Sequence, residues 1–454
     1  MWIGTDGLSR TTGKHERGPG KPGSMINERH SIHPMTVTAN NPPSRLTTLD
    51  ILGVGLSVEM FQQSDVWLAM QDNPNGSILP SDLSAYPTDE AAKELATEKR
   101  AAAALAGGAS RFVELWPIPS VSIWPQWRET DPSDSGCKTS VDDFNCRVDC
   151  LRTPANMPAH RIDSLGAFFH DEPEEVLANA FLFFENNPEA PALLLLASDG
   201  DQIRSLTGDM NRENHWGNGP RRFDSMTESF AVLILARRDR VDQYLRPFAG
   251  SRATHLYAAG PAKSGFKPSK YLPEPWTAEQ LDQFDALPTI AVLHRPIRVT
   301  YRKDKDGKPT FDPKQQDKLM HPQQMEAVFK AGFDEALKEI AGGKPARVFY
   351  DTGGPATGGH VVPLALTVNV SLPSFDLFNP EESYDISMRI GNTGASSPFV
   401  QWALASMACS EKNDASIAVN LRQKEEATIT VVTAAQTQAK FQNMRSHPSS
   451  ADVK

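Results

Sequence analysis

The run Arg389-Ile390-Gly391-Asn392-Thr393-Gly394-Ala395-Ser396-Ser397-Pro398 is a turn of small residues that opens a helix. Small residues let backbone come close to a ligand or to another element, and the free amides of a helix start attract acceptors. Gly391, Asn392, Thr393 and Gly394 are therefore the first candidate site, with tight packing as the plain alternative. Ser198, Asp199 and Asp201 follow an apolar run, at the kind of strand end where α/β folds place ligands. No Gly-x-Ser-x-Gly elbow surrounds Ser198, which argues against a serine hydrolase. Asp199 with Asp201 has no ligand-rich loop for a hard cation and reads as a solvated turn. His294 beside Arg295 could form an acid or an anion site, but a hydrogen-bonded structural histidine is the favoured reading.

Four cysteines are too few to build a fold of 454 residues on disulfides. Cys137, Cys146 and Cys150 cluster in a polar insert, and their x8 and x3 spacing matches no standard zinc pattern, with only His160 near as a fourth ligand. Unpaired thiols are expected there, a local disulfide and a zinc site being the alternatives. Cys409, set among Ala405, Met407 and Ala408, reads as a small buried thiol. No metal and no cofactor is expected. Trp116, Trp124 and Trp127 lie near prolines, where aromatics more often cover a core than form a recognition surface.

The elements that would position these residues recur in two parts. Leu49 to Val58 is a short β-type run, followed to Ala106 by helical or irregular chain with an Ala-rich stretch. Residues 115–160 read as an irregular covering segment rather than a regular element. Asp171 and Glu174 have capping-box spacing, and Val176, Leu177, Ala180, Phe181 and Phe184 recur at helical spacing. Ala192 to Ala197 is then an apolar run of the kind buried on both faces, and Ser229 to Ala236 is a second strand. A similar plan follows: a short helix capped by Thr277 and Gln280, strands at 290–293 and 297–301, and a charge-mixed excursion at 302–318. An amphipathic helix from Met325 to Ile340 stops at Gly342-Gly343, before a strand at 346–350. A helix from about Pro398 to Cys409 and strands at 415–420 and 427–432 complete it. The expected layout is a disordered arm at 1–44, a first half at 45–270, a second half at 271–433 and a disordered tail at 434–454.

With 46 basic against 56 acidic residues the net charge is −10. Binding of nucleic acid or of an acidic membrane would need the opposite balance. A protein or small-molecule partner fits better. No window has the apolar length of a membrane span or the core of a signal peptide, so a cytoplasmic protein is expected.

The Asn392 turn is similar to the Gly-Asn-Thr-Ser-Ala-Ala-Ser segment of the ketoacyl synthase III branch of the thiolase superfamily. That resemblance implies an α/β thiolase-like fold of two pseudo-repeated halves, with central sheets packed between helices. It also implies that Asn392 stands where the family's Asn serves decarboxylation and an oxyanion. The nucleophilic Cys belongs at the start of the helix before the buried strand, where a helix N-terminus lowers a thiol pKa. His170-Asp171-Glu172-Pro173 stands there, and no cysteine lies between Cys150 and Cys409. The family's His should follow the strand near Tyr350, where the residues are Asp351-Thr352-Gly353-Gly354. Condensation needs nucleophile and polarising His together, so a scaffold with its chemistry removed is expected. The alternative is a divergent thiolase-class acyl-transfer enzyme.

From about 45 to 433 the chain also resembles the lipase-adaptor family of type VI secretion. The matching features are Phe183-Phe184-Glu185 with Pro188, Ser198-Asp199, Leu235-Ala236-Arg237-Arg238, Pro275-Trp276-Thr277, Leu293-His294-Arg295-Pro296, Thr352-Gly353-Gly354, Arg389 to Ala395, and Asn420-Leu421-Arg422. Family membership implies a noncatalytic bacterial adaptor or chaperone. It would bind a phospholipase toxin effector and load it onto the secreted spike protein, VgrG. The basic arm and the cysteine-bearing insert depart from the family and leave the identity of the partner open.

Overall fold

In the computed structural model, residues 45–79, 89–124, 148–169, 174–200, 227–250, 265–312, 314–353 and 361–435 are described. The first half begins with β1 (Thr48–Val58), β2 (Phe61–Gln62), α1 (Ser64–Asp72), α2 (Glu90–Ala109), β3 (Pro117–Trp124) and β4 (Arg161–Phe169). It continues through α3 (Glu174–Asn186), β5 (Ala192–Asp199), β6 (Ser229–Ala236), α4 (Arg238–Tyr244) and α5 (Ala278–Ala286). The second half runs through β7 (Ala291–His294), β8 (Ile297–Thr300), β9 (Arg302–Lys303), β10 (Lys318–Leu319), α6 (Pro322–Lys338), β11 (Arg347–Asp351) and α7 (Val361–Ser371). It ends with β12 (Ser383–Asp385), α8 (Ile386–Ile390), α9 (Ser397–Lys412), β13 (Ala415–Asn420) and β14 (Glu426–Ala434).

One mixed sheet runs through both halves in the order β12-β11-β13-β14-β7-β1-β6-β5-β3-β4. Outward from its middle, β1-β6-β5-β3-β4 has two antiparallel pairings and then two parallel ones. The other arm, β7-β14-β13-β11-β12, repeats that pattern. In each arm the first strand in sequence is innermost and lies beside the last. The two arms meet where β1 pairs antiparallel with β7, Leu49 opposite Leu293. The fold is thus the expected α/β class with two pseudo-repeated halves.

Alternation along the strands sorts the apolar side chains into layers. Leu233 and Leu235 of β6, Phe349 of β11 and Val432 of β14 share one buried cluster with Phe181 of α3 and Phe399 and Trp402 of α9. These two helices are thus a shared middle layer. Val232 and Ile234 of β6 turn the other way, onto Leu105 of α2 and Phe284 of α5. In the second half Ile429 and Val431 face Phe329 and Phe333 of α6 and Leu364 and Val368 of α7. Each sheet arm is therefore covered on both faces. Burial on all sides explains why α9 is buried without a break from Ser397 to Cys409, and why its sequence has no polar stripe over that span. The Ala-rich part of α2 has a related cause: a Cβ on Gly55 would lie 1.8 Å from the Ala104 carbonyl oxygen, so helix and strand meet backbone to backbone.

One expected region is corrected. Within residues 115–160, β3 is a regular strand with β4 on one side and β5 on the other. Its prolines disguise it. Pro117 and Pro119 lie in the part paired only with β4, and pairing with β5 starts at Ser120, so missing amides are tolerated near the strand's start. Trp116 is buried against Trp276, their ring centroids 5.6 Å apart, as a core-covering residue. Trp127, Cys137, Cys146, the 170–173 segment and both termini lie outside the described residues, and Cys150 is exposed.

Candidate functional site

The Asn392 turn joins α8 to α9 and sits where the two halves touch. Asp385 caps α8 by accepting from the Met388 amide at 3.0 Å. Arg389, which the sequence places at the start of the turn, belongs to this short helix. Its buried guanidinium donates to the Pro74 carbonyl at 2.7 Å and to that of Met70, and the Ile78 amide donates to the Arg389 carbonyl at 2.8 Å. The end of α1 and the loop after it are thereby tied to the turn. Gly391 has φ 79°, and a Cβ there would lie 2.2 Å from Thr227 Oγ1. Only glycine meets both demands.

Asn392 is engaged on main chain and side chain. Its carbonyl accepts from the Thr227 amide at 2.7 Å. Its Oδ1 accepts from the Gly394 amide at 3.0 Å and from Arg422 Nη2 at 2.6 Å. Beyond it, Ser396 Oγ donates to the Thr393 carbonyl at 2.7 Å and lies 2.6 Å from Ser229 Oγ. Asp199, buried at the end of β5, accepts from the Ala395 amide at 2.7 Å and from Gly200 at 2.6 Å. The turn that leads into α9 is thus engaged by a carboxylate of the chain itself.

Asp351, at the end of β11, is fully buried and is the hub of the same network. Oδ1 accepts from Gly353 at 2.8 Å and from the Ser387 hydroxyl, and Oδ2 accepts from Arg422 Nη1 at 3.0 Å and from the Ser397 hydroxyl. Burial pushes its carboxyl up, but the Arg422 charge, the two hydroxyls and the Gly353 amide outweigh it and hold the group below the usual carboxylate range. Arg422 thus bridges Asp351 and Asn392. Nearby, burial and the charge of Asp351 raise Asp385 to about 6, against the pull of the Met388 and Ser387 amides and the Tyr350 hydroxyl.

The other candidates lie elsewhere. Cys409 is in the fourth turn of α9, 3.3 Å from Ser416 Oγ and from the Val432 carbonyl, and burial pushes its thiol up to about 12. Such a thiol is a poor nucleophile at neutral pH. His294 contacts Glu339 Oε2 and Thr433 Oγ1, each at 3.2 Å, and burial lowers its pKa. This is the expected structural histidine. His160 is buried with Nε2 3.0 Å from the Phe112 carbonyl. Among the described residues no group of three or more His, Cys, Asp or Glu is placed to hold a metal ion. The sequence singles out Asn392 but not its partners, and Asp199, expected in a solvated turn, is instead buried and bonded to the Ala395 and Gly200 amides. Asn420-Leu421-Arg422 stood out as a motif without a role, and nothing local marks Ser387.

Two family models match the chain. Residues 47–217 match the N-terminal model of the type VI lipase adapter protein Tla3, and residues 290–434 match its C-terminal model. The chain belongs to the type VI lipase adapter family. The adapter's Asn392 turn and its Asp351–Arg422 pair both fall within the C-terminal match. Among solved structures, this adapter is similar to a ketosynthase from module 1 of the bacillaene synthase of Bacillus amyloliquefaciens, with 9% identity, a TM-score of 0.44, and 86% of this chain and 76% of that one covered. It is also similar to 3-oxoacyl-[acyl-carrier-protein] synthase III of Aquifex aeolicus, with 9% identity, a TM-score of 0.36, and 85% and 99% covered. The repeated strand order described above stands on the adapter's own pairings.

Proposed function

We propose that this chain is a noncatalytic cytoplasmic adaptor that binds a phospholipase toxin effector and loads it onto the VgrG spike of a type VI secretion machine. The observation that carries this reading is the match of both halves to one lipase-adapter family. The Asn392 network supports its noncatalytic part: the carboxamide oxygen is engaged by Gly394 and Arg422, and the Ala395 amide of the same turn by Asp199. Groups so engaged brace the turn and, through Asp199, tie it to the first half rather than wait for a substrate. Surface is then what the fold offers, and a stable partner needs roughly 1,200 to 2,000 Å² of it.

Deletion of the gene is expected to leave the lipase made and active but no longer delivered into competitor cells. Secretion and activity assays on the same strains separate the two. Normal delivery by the deletion strain, or a pure lipase that needs this protein for turnover, would overturn the reading. Incubation with acyl-coenzyme A is expected to leave the intact mass unchanged, and a covalent acyl adduct would favour an acyl-transfer enzyme instead.

A further inference from the structure

Two irregular segments of the first half meet each other, 110–116 after α2 and 153–160 before β4. Phe112 and Trp116 from one, and Ala155 and Met157 from the other, join the apolar cluster that holds Leu105 of α2 and Phe284 of α5. Each segment carries a residue in the left-handed region, Leu115 at φ 59° and Asn156 at φ 57°. Asparagine tolerates that region, but a leucine is held there against its preference. Such backbone persists only where surrounding contacts impose it. Two hydrogen bonds join the segments: the Leu115 amide donates to the Ala159 carbonyl at 3.0 Å, and His160 Nε2 lies 3.0 Å from the Phe112 carbonyl.

A carbonyl only accepts, so Nε2 carries the proton and Nδ1 is the bare nitrogen of a neutral ring. Nδ1 is buried and has no hydrogen-bond partner among the described residues. Arg152, in the helical turn 148–152, donates to the carbonyl of His160 itself and pairs with Asp149 at 3.0 Å. Burial lowers the imidazole pKa; the Phe112 carbonyl and Glu114 pull the other way, and Arg152 adds to the lowering. Arg111 and Arg161 are exposed, and α5 meets the 110–116 segment through Gln280 and Gln283, which carry no charge. A second proton therefore brings a charge beside Arg152, and an N–H without an acceptor, into an apolar layer.

We propose that His160 is an acid-released latch: neutral, it clips segment 153–160 onto segment 110–116, and protonated, it lets them part so that Leu115 and Asn156 relax. The parted state takes up the proton at the ordinary imidazole value of about 6.5, the closed state only below it. Closure is thus at full strength above about pH 6.5 and weakens as pH falls toward the folded value, parting becoming about tenfold more frequent per pH unit between the two. Parting uncovers Phe112, Trp116 and Met157, so acid gives the first half an apolar surface that it hides at neutral pH.

Amide hydrogen exchange on the full chain, read at about pH 7.5 and about pH 5 and corrected for intrinsic exchange, tests the latch. Protection of peptides covering 110–116 and 153–160 is expected to fall about tenfold in acid, with β6 and β13 unchanged. In His160→Gln, whose side-chain amide donates but does not titrate, the fall should vanish. Flat protection in the parent, an equal loss across the whole chain, or a fall that survives in His160→Gln each overturns the latch. Glu114→Gln should keep the pH dependence, and its loss there would assign the switch to Glu114 instead. If His160→Gln does not fold, the parent's profile and that of Glu114→Gln decide by the same outcomes.

Discussion

The seam around Asn392 and the outer face of α7 are opposites. At the seam, Asp351, Asn392 and Arg422 satisfy one another within the second half, and Asp199, Thr227 and Ser229 of the first half bond to the turn at Ala395, Asn392 and Ser396. On α7, Val362, Leu366 and Val370 stand in water. The difference teaches that polar residues clustered at strand ends are not by themselves a sign of chemistry. What matters is whether their hydrogen-bonding capacity is already spent on one another. Here the polar groups are turned inward, and the unsatisfied surface is apolar.

The sharpest way to break this comparison is at Asp351. Asp351→Ala leaves Arg422 without its carboxylate and two hydroxyls without an acceptor, and removing one partner of a buried pair costs about 3–5 kcal/mol. Urea denaturation should show that loss, and a variant as stable as the parent would mean that the network carries nothing. Gly391→Ala comes next, at about 2 kcal/mol, from positive φ and the contact with Thr227. Asn392→Ala should cost about 1–2 kcal/mol for the hydrogen bonds it removes. Delivery of the lipase should fall no further than stability does.

Asp385 adds a pH dependence. Its folded carboxyl is raised to about 6, above the ordinary value, so the stability it contributes is fully present below about pH 3.9 and is lost as pH rises through 6. Asp351 has the opposite sign: its contribution is present above the ordinary carboxylate pKa and lost as pH falls through its depressed value. Relative to Asp385→Asn, the parent should therefore lose stability between pH 4 and 6.5 in urea titrations. A flat difference would show that Asp385 is not the titrating group. The smallest effect is expected at Val362→Ser, within about 0.5 kcal/mol, because the side chain is already half in water.

Much of the scaffold could be read from the chain, because the repeated helix-to-buried-strand units carry strong local signals. β5 and β6 are nearly unbroken apolar runs, and the Thr277–Gln280 capping box forms with both its bonds, at 3.0 and 3.1 Å. β3 was hidden by prolines that only its place in the sheet makes harmless. α7 was hidden by Val361, Val362, Val368 and Val370, whose β-branching favours strands, so packing on α6 overrides local preference there. The turn at Asn392 was legible as a small-residue run. Its closing by Arg422 was not, since thirty residues separate the pair and only the folded sheet brings them together.

The pairing of β1 also sets a schedule for synthesis. Ile51 bonds across to Leu235 on one side and to Ala291 on the other, so β1 has both its long neighbours far downstream, with only Ser57 and Val58 paired early, to β2. At about 5–20 residues per second, β1 waits on the order of ten seconds or longer before β6 can cover most of its length. Over that interval an apolar ribbon from Leu49 to Leu56 is open to other nascent chains. The protein is therefore most vulnerable to aggregation while it is being made, and slowing translation between β1 and β6 should lower its soluble yield.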